Sequence, residues 1–315
     1  MGPHARPHNR NLSELYAIAV INRDRRKHGL SPVLSSNNRA AQAHAEDILK
    51  TKQLSHWTTD GMKPYMRYSI CRGTGYVQQN ASYKGFSESD MINKYKSGFY
   101  SFSKIYPIKS IDELEYDMIY NDSTSQWGHR DNILGKHHTH VSIGIAYDDY
   151  YFAFVQNFEG NYIQLNKPII QENSNKHKKN IEVSGRIINN NKIHGIYIFY
   201  DKVPNRLLYE QHKDDRSYGL GELIAVVVKP LPSNYYYVNT SAHTLIQADK
   251  WWSSSFLSRL VTSGDHNQQS IDIEFDILPL LKTHGVYTIV IYLQDNHDDT
   301  FPVTSYCLFT RTTRI

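Results

Sequence analysis

Two histidines at helix-to-loop junctions could work together in one cleft. His56 lies in residues 54–61, and His129 lies in residues 127–134. Two neutral imidazoles supply half of a tetrahedral zinc site, which a carboxylate and a water could complete. Loops on a rigid scaffold carry most binding groups. His56 and His129 are far apart in the chain. Spacing alone therefore favours the interpretation that each histidine makes its own hydrogen bonds and fixes its own loop.

Other candidate groups carry weaker signals. The run His137, His138, Thr139 and His140 could bind a divalent ion, but exposed histidine-rich loops do so without any biological role. Serines stand close to both histidines in sequence, yet adjacency in sequence is not the geometry of a catalytic triad. A Gly-x-Ser-x-Gly nucleophile elbow does not occur in the sequence.

The first half of the chain is predicted to mix helices and strands. Helical spacing of apolar residues predicts helices over 13–28, 37–53 and 111–120. Gly29 and Pro32 fit the end of the first helix. Two apolar runs, 141–147 and 150–158, predict a β-hairpin. Residues 56–90 are predicted to be irregular because glycine and proline interrupt them.

The second half is predicted to be all-β. A polar, aperiodic stretch over 171–180 marks the domain boundary. Short β-like runs separated by Gly, Asn and Asp favour a β-sandwich with no clear helix. These runs are residues 181–188, 194–200, 223–228, 271–275, 286–293 and 305–311. Of the aromatic residues here, Trp252 is predicted to be core, whereas Tyr235, Tyr236 and Tyr237 fit either core or an exposed binding surface.

Composition bounds the class of protein. A chain of 315 residues predicts two domains, and its net charge of +4 comes from short, scattered basic clusters. This pattern argues against a nucleic-acid partner. The two cysteines, Cys71 and Cys307, predict no disulfide framework. No run predicts a transmembrane segment, and residues 1–8 lack the apolar stretch of a signal peptide, so the chain either stays inside the cell or has lost a leader.

One group of motifs resembles a known superfamily. The segment Gly128-His129-Arg130-Asp131-Asn132-Ile133-Leu134, the strand beginning at Val141 with Gly144, and His56 together resemble the CAP superfamily (cysteine-rich secretory proteins, antigen 5 and pathogenesis-related proteins), in its prokaryotic, cysteine-poor form. The helix containing residues 19–30 adds a weaker likeness. The resemblance covers roughly residues 12–160.

The resemblance implies an α-β-α CAP sandwich for the first half. Together with the short strands predicted after it, this gives an α+β chain that ends in an all-β, immunoglobulin-like sandwich. The expected boundaries are an N-terminal tail over 1–11, a CAP domain over 12–162, a linker over 163–180 and a β-sandwich over 181–315.

The resemblance also implies a cavity lined by two histidines and two acidic residues. His56 and His129 match the histidines. The first acid falls on Gln79, which precedes Asn80 and cannot act as a charged base. Glu115 is the choice for the second acid, with Glu113 as the alternative. Asn80, Arg130 and Asn132 are expected to support the cavity, and Trp57 and Trp127 are expected to pack beside the histidines.

The expected function is a secreted or cell-surface protein that binds a lipid, glycan or protein ligand without catalysis. The alternative is a zinc-dependent hydrolase that uses His56 and His129 as ligands and Glu115 as general base. A third hypothesis is an intracellular interaction module. The ligand and the oligomeric state do not follow from the sequence.

Overall fold

A computed structural model describes residues 7–85, 92–93, 95–98, 104–166, 169, 179–189, 191–238, 242–255 and 269–310. The chain forms two compact units. The first comprises the described residues up to Arg72 together with Val77–Glu159 and Pro204–Tyr218. The second comprises Gly73–Tyr76, Gly160–Val203 and the described residues from Gly219 onward. Much of the predicted linker, residues 170–178, lies outside the described residues.

The first unit contains six α-helices within the described residues, together with a short 3₁₀ helix at Asp122–Ser125. Proline is the first residue of three of the helices, where its missing N–H costs nothing. The helices are α1 (Pro7–Lys27), α2 (Ala40–Thr51), α3 (Pro64–Ile70), α4 (Pro107–Tyr120), α5 (Gly128–Ile133) and α6 (Arg206–His212).

A four-stranded sheet lies at the centre of the first unit. Its strands are β1 (Leu34–Ser35), β2 (Tyr76–Gly85), β3 (His140–Tyr147) and β4 (Tyr151–Gly160), in the order β1-β3-β4-β2. β3 and β4 pair antiparallel, with Ala146 opposite Ala153. β2 is therefore an edge strand.

Helices cover both faces of this sheet. On one face, Ile21 of α1 and Met118 of α4 join a core with Phe154. On the other face, Ala45 of α2 joins a separate core with Val155. Because neighbouring residues of a strand point to opposite faces, β4 is buried along its whole length. The result is the predicted α-β-α sandwich.

The structure corrects two details of the first half. The stretch 56–90, predicted to be irregular, contains α3 and β2. Helix α1 begins at Pro7, inside the stretch predicted as a tail. The remaining predicted helices and both predicted strands are present, with their ends moved by a few residues.

The second unit is a pair of β-sheets around one apolar core. One sheet has the order β10-β11-β6-β5, and the other has the order β13-β12-β7-β8-β9, with β14 paired to β12. Ile273 from the first sheet and Ile198 and Ile289 from the second belong to the same buried cluster. The strands are β5 (Ile163–Leu165), β6 (Asn180–Ile187), β7 (Lys192–Lys202), β8 (Glu222–Val228), β9 (Thr244–Gln247), β10 (Lys250–Ser255), β11 (Gln269–Asp276), β12 (Gly285–Gln294), β13 (Thr300–Pro302) and β14 (Tyr306–Phe309).

Two expectations for the second half were wrong. The prediction of no clear helix missed α6, which lies in the connection between β7 and β8. Trp252 is not core, since half of its surface is exposed. It alternates with Trp251, which packs against the core cluster, so the period-two pattern of β10 turns Trp252 outward. Within the described residues, neither cysteine forms a disulfide, and no helix has the length and apolarity to cross a membrane.

A close approach between α2 and β3 explains the glycine in the Val141–Gly144 motif. A Cβ at Gly144 would lie 2.0 Å from the carbonyl oxygen of Ala41, and neither backbone can move without disrupting the layer. We expect Gly144→Ala to reduce the free energy of unfolding by about 3 kcal/mol. Gly128→Ala is the matched control because a Cβ there meets nothing within 4 Å. Urea denaturation followed by tryptophan fluorescence measures both, and a Gly144→Ala chain as stable as the parent would contradict this packing.

Candidate functional site

His56 is held by a glutamine. Its Nδ1 lies 3.1 Å from Oε1 of Gln79 on β2, and Nε2 of Gln79 donates to Oδ1 of Asn157 on β4 at 2.9 Å. Because an amide oxygen only accepts, Nδ1 of His56 carries the proton. Burial lowers the pKa of His56 to about 4, although the Gln79 hydrogen bond opposes this shift. The ring is therefore neutral at physiological pH.

A buried arginine fixes the loop that carries His56. The guanidinium of Arg67 on α3 donates to the carbonyl oxygen of His56 at 3.0 Å and to Oγ1 of Thr58 at 3.2 Å. It also donates to Nδ1 of His44 at 3.1 Å. Burial lowers the pKa of Arg67 to about 10 and holds the pKa of His44 well below its usual range. His44 is thus a packed, neutral acceptor, and Arg67 is a positioning residue that sequence reasoning missed.

His129 is paired with an aspartate that sequence reasoning also missed. Oδ1 of Asp122 accepts from Nδ1 of His129 at 2.7 Å. Oδ2 of the same carboxylate accepts the backbone N–H of His129 at 2.8 Å and of Arg130 at 3.1 Å. Asp122 therefore satisfies the first N–H groups of α5 and orients the imidazole at once. The sequence signal was an Asp seven residues before the histidine, at the entry to a helix.

Glu115 belongs to a different hydrogen-bonded group. It is fully buried on α4, and its Oε2 accepts from Nε2 of Gln156 at 2.5 Å. Its Oε1 is buried with no hydrogen-bond partner among the described residues. Burial raises the pKa of Glu115 to about 8. The side chain is thus a neutral carboxylic acid at pH 7 rather than a carboxylate.

The predicted cavity residues fall into two groups on opposite faces of the sheet. Gln79 and Asn80 are neighbours on β2, so they point to opposite faces. Gln79 contacts His56, whereas Asn80 donates to Oε1 of Gln156 and to the carbonyl oxygen of His129. That the imidazoles of His56 and His129 share one hollow stays a prediction.

The side chains predicted to line the cavity do not match the ligands that zinc requires. Zinc needs three or four ligands from His, Cys, Asp or Glu. In the described ranges, no three such residues come together as a metal site. Gln79 supplies an amide where a carboxylate would serve, and Glu115 is bonded to Gln156. These residues do not fit a zinc centre, and zinc binding stays a prediction.

The other predicted residues have structural contacts. Arg130 donates from Nη1 to the carbonyl oxygen of Ile119, and Asn132 donates to Oδ1 of Asn80. Glu113 is on the solvated side of α4 and pairs with Lys84 and Lys109.

The histidine run does not form a metal cluster in the described residues. His138 is buried against Phe158, with Nε2 at 3.0 Å from Oε1 of Gln78. Burial lowers the pKa of His138 to about 3, so it is a neutral packed residue. Ser125 donates to Asp122 rather than to His129, which gives no support to a serine nucleophile.

The tryptophans differ from each other. Trp57 is buried and stacks on His212 with ring centroids 5.2 Å apart. Trp127 is 42% exposed, and the Cζ atom of Arg130 lies 5.8 Å from the centroid of the Trp127 ring.

A tyrosine from far along the chain completes the surroundings of His56. Tyr218 places its ring centroid 4.8 Å from that of His56, and its hydroxyl accepts the backbone N–H of Gln79 at 2.8 Å. No local sequence signal identified this residue, because it lies among the predicted strands of the second half.

The α-β-α sandwich has the architecture that the resemblance to the CAP superfamily implies. Comparison with known families agrees: residues 18–158 match the family described as CAP, cysteine-rich secretory protein family. This part of the chain belongs to the CAP superfamily.

Two solved structures are similar to this chain. One is an extracellular protein containing a SCP domain from Bacillus anthracis, with 19% identity and a TM-score of 0.32; the match covers 50% of this chain and 45% of that one. The other is the CAP domain of enterococcal PrgA, with 15% identity and a TM-score of 0.33, covering 50% of this chain and 64% of that one. The chain thus spans less than two thirds of either structure. A comparison with curated proteins found no match.

The buried carboxylic acid of Glu115 on α4 makes the free energy of unfolding depend on pH. Native Glu115 keeps its proton up to about pH 8, whereas the unfolded side chain loses it near 4.5. The unfolded state therefore binds fewer protons in this window, and the free energy of unfolding falls as pH rises through it. We expect the parent to lose about 1 kcal/mol per pH unit relative to Glu115→Gln, which keeps the acceptor for Gln156. Urea unfolding of both chains at pH 6 and pH 8 measures this, and parallel pH profiles would refute it.

Proposed function

We propose that this chain is a secreted or cell-surface CAP protein that binds a ligand without catalysis. One observation carries the proposal: the position next to His56 holds Gln79, an amide whose oxygen bonds the imidazole and whose nitrogen bonds Asn157. The side of the cleft next to His56 is thus built from neutral donors and acceptors. The secreted or surface location is supported by the family alone.

The chemistry of these groups favours a neutral, polar ligand. His56 is uncharged above about pH 4, and Glu115 is uncharged below about pH 8. Amide groups such as those of Gln79 and Asn157 offer both donors and acceptors, which suit hydroxyl and amide groups of a glycan, a polypeptide or a lipid headgroup. A charged substrate would find no opposite charge among them.

The hydrolase alternative lacks an observation in its favour. A general base must be deprotonated and within reach of the reacting water. Glu115 is protonated at neutral pH and its described hydrogen bond goes to Gln156. The Asp122–His129 pair orients an imidazole, but orientation alone does not make a catalytic site.

We propose that the second unit supplies attachment and that its two sheets follow an immunoglobulin-like plan. Support comes from three consecutive tyrosines, Tyr235, Tyr236 and Tyr237, which line a surface groove with His243 and Leu245. Tyr236 is 83% exposed. Exposed tyrosines combine an apolar ring with a polar tip and suit wet binding surfaces.

Zinc calorimetry separates binding from metal-dependent chemistry. We expect the parent and His56→Ala to give the same weak zinc titration, because His56 has no carboxylate partner. Gln79→Glu is the matched variant that adds this carboxylate, and we expect it to bind zinc about tenfold tighter or more. Tight zinc binding by the parent that is lost in His56→Ala would overturn the proposal in favour of the hydrolase.

The binding role has a direct test of its own. The parent and Gln79→Ala are compared on arrays of neutral glycans and peptides and on phospholipid vesicles. We expect a neutral ligand whose affinity falls about fivefold to tenfold in Gln79→Ala, since the lost amide leaves His56 Nδ1 and Asn157 unpaired. Ligands that bind both chains equally would place the binding surface elsewhere.

A further inference from the structure

Residues 204–218, here called the strap, belong to the first unit although they lie between two strands of the second. The chain leaves β7 after Lys202, contributes Pro204–Tyr218 to the first unit, and enters β8 at Glu222. A connection of this length is far longer than a hairpin between β7 and β8 requires. The additional residues of this connection make contacts within the first unit.

The beginning of the strap is docked at the loop that follows His56. The backbone of Asn205 comes so close to Gly61 that a Cβ at Gly61 would lie 2.2 Å from the Asn205 carbonyl oxygen. Gly61 also has a φ of +81°, which favours glycine. The Asn205 side chain accepts the N–H of Leu208 and starts α6, and Tyr209 of that helix is 6% exposed.

The middle of the strap packs on the same loop. His212 stacks on Trp57, with ring planes 14° apart. Nε2 of Gln53 donates to Oδ1 of Asp214 at 3.1 Å. The strap thus follows the segment that carries His56.

The end of the strap covers His56 and reaches the side of His129. The Tyr218 ring lies against His56, and its hydroxyl accepts the N–H of Gln79 from the open edge of β2. Nη1 of Arg216 donates to the carbonyl oxygen of Thr124, in the 3₁₀ helix that leads to His129. The strap therefore touches both histidine-bearing segments.

We propose that the His56 cleft is a polypeptide-binding groove and that the strap is its built-in ligand, anchored by Tyr218. This inference rests on the proposed binding role and names its ligand class. The strap meets this cleft at the N–H of Gln79, the imidazole ring of His56 and the indole face of Trp57, groups that suit a polypeptide with aromatic side chains. The contacts of Tyr218 with His56 and Gln79 form while His56 is neutral, so they need no charged group in the cleft.

A built-in ligand regulates access to the groove. A tethered segment has an effective concentration in the millimolar range, so a separate polypeptide must compete with it. An external partner with a matching tyrosine binds weakly while the strap is seated and more tightly once it is displaced.

The experiment uses the full chain and a fluorescent peptide of residues 204–218. Tyr218→Ala loosens the strap, and we expect this chain to bind the peptide at least about tenfold more tightly than the parent does. A peptide with alanine at the tyrosine position should lose this binding. Leu207→Ala, on the exposed side of α6, is the matched control and should behave like the parent. Equal binding by parent and Tyr218→Ala, or none by the folded variant, overturns the proposal.

Two further measurements accompany this test, and the first of them does not depend on whether Tyr218→Ala folds. The double variant His212→Ala with Asp214→Ala removes two anchors near the surface, and it too should bind the peptide more tightly than the parent. In the folded Tyr218→Ala chain, nuclear magnetic resonance should show the pKa of His56 rising from about 4 toward its ordinary value of 6.5. An unchanged pKa, or a folded double variant that binds no peptide, counts against the strap. Zinc titration does not bear on this result, so failure of the proposed function and failure of the strap are told apart.

Discussion

The open edge of strand β2 is the constraint on which the rest of the site depends. An edge strand must satisfy its backbone N–H groups, or else it offers them to other chains. Gln79 meets this demand by donating its backbone N–H to Tyr218, while its side chain bonds His56 through the amide oxygen and Asn157 through the amide nitrogen. One residue thereby joins the sheet, the histidine loop and the strap.

Several buried titratable groups of this domain are uncharged at neutral pH, and their polar contacts are mostly with neutral groups. Burial keeps His56 and His138 uncharged and keeps Glu115 protonated at pH 7. The partners of these groups are amides, which satisfy them without any charge. The Asp122–His129 pair differs because its carboxylate also holds the start of a helix. These neutral, hydrogen-bonded groups are the observation on which the proposed binding role rests.

Helices and strands were predicted correctly where their apolar residues are regularly spaced, and they were missed where this spacing is absent. The helix at Ala40–Thr51 and the strand at His140–Tyr147 carry regular apolar spacing and were predicted. Strand β2 was missed because Gln78, Gln79 and Asn80 make polar contacts on both faces, so the alternation that signals a strand is absent. Trp252 was placed in the core because the pattern did not show which of two adjacent tryptophans faces inward.

The sequence by itself determined the α-β-α layers and the CAP membership of residues 18–158, because these depend on local spacing and a specific motif. Only the tertiary structure decided what each histidine contacts. Asp122, Arg67 and Tyr218 reach the site from separate segments, Tyr218 across 139 residues of chain. Such contacts form only when packing brings a strand edge and a distant loop together, and no local pattern in the chain records them.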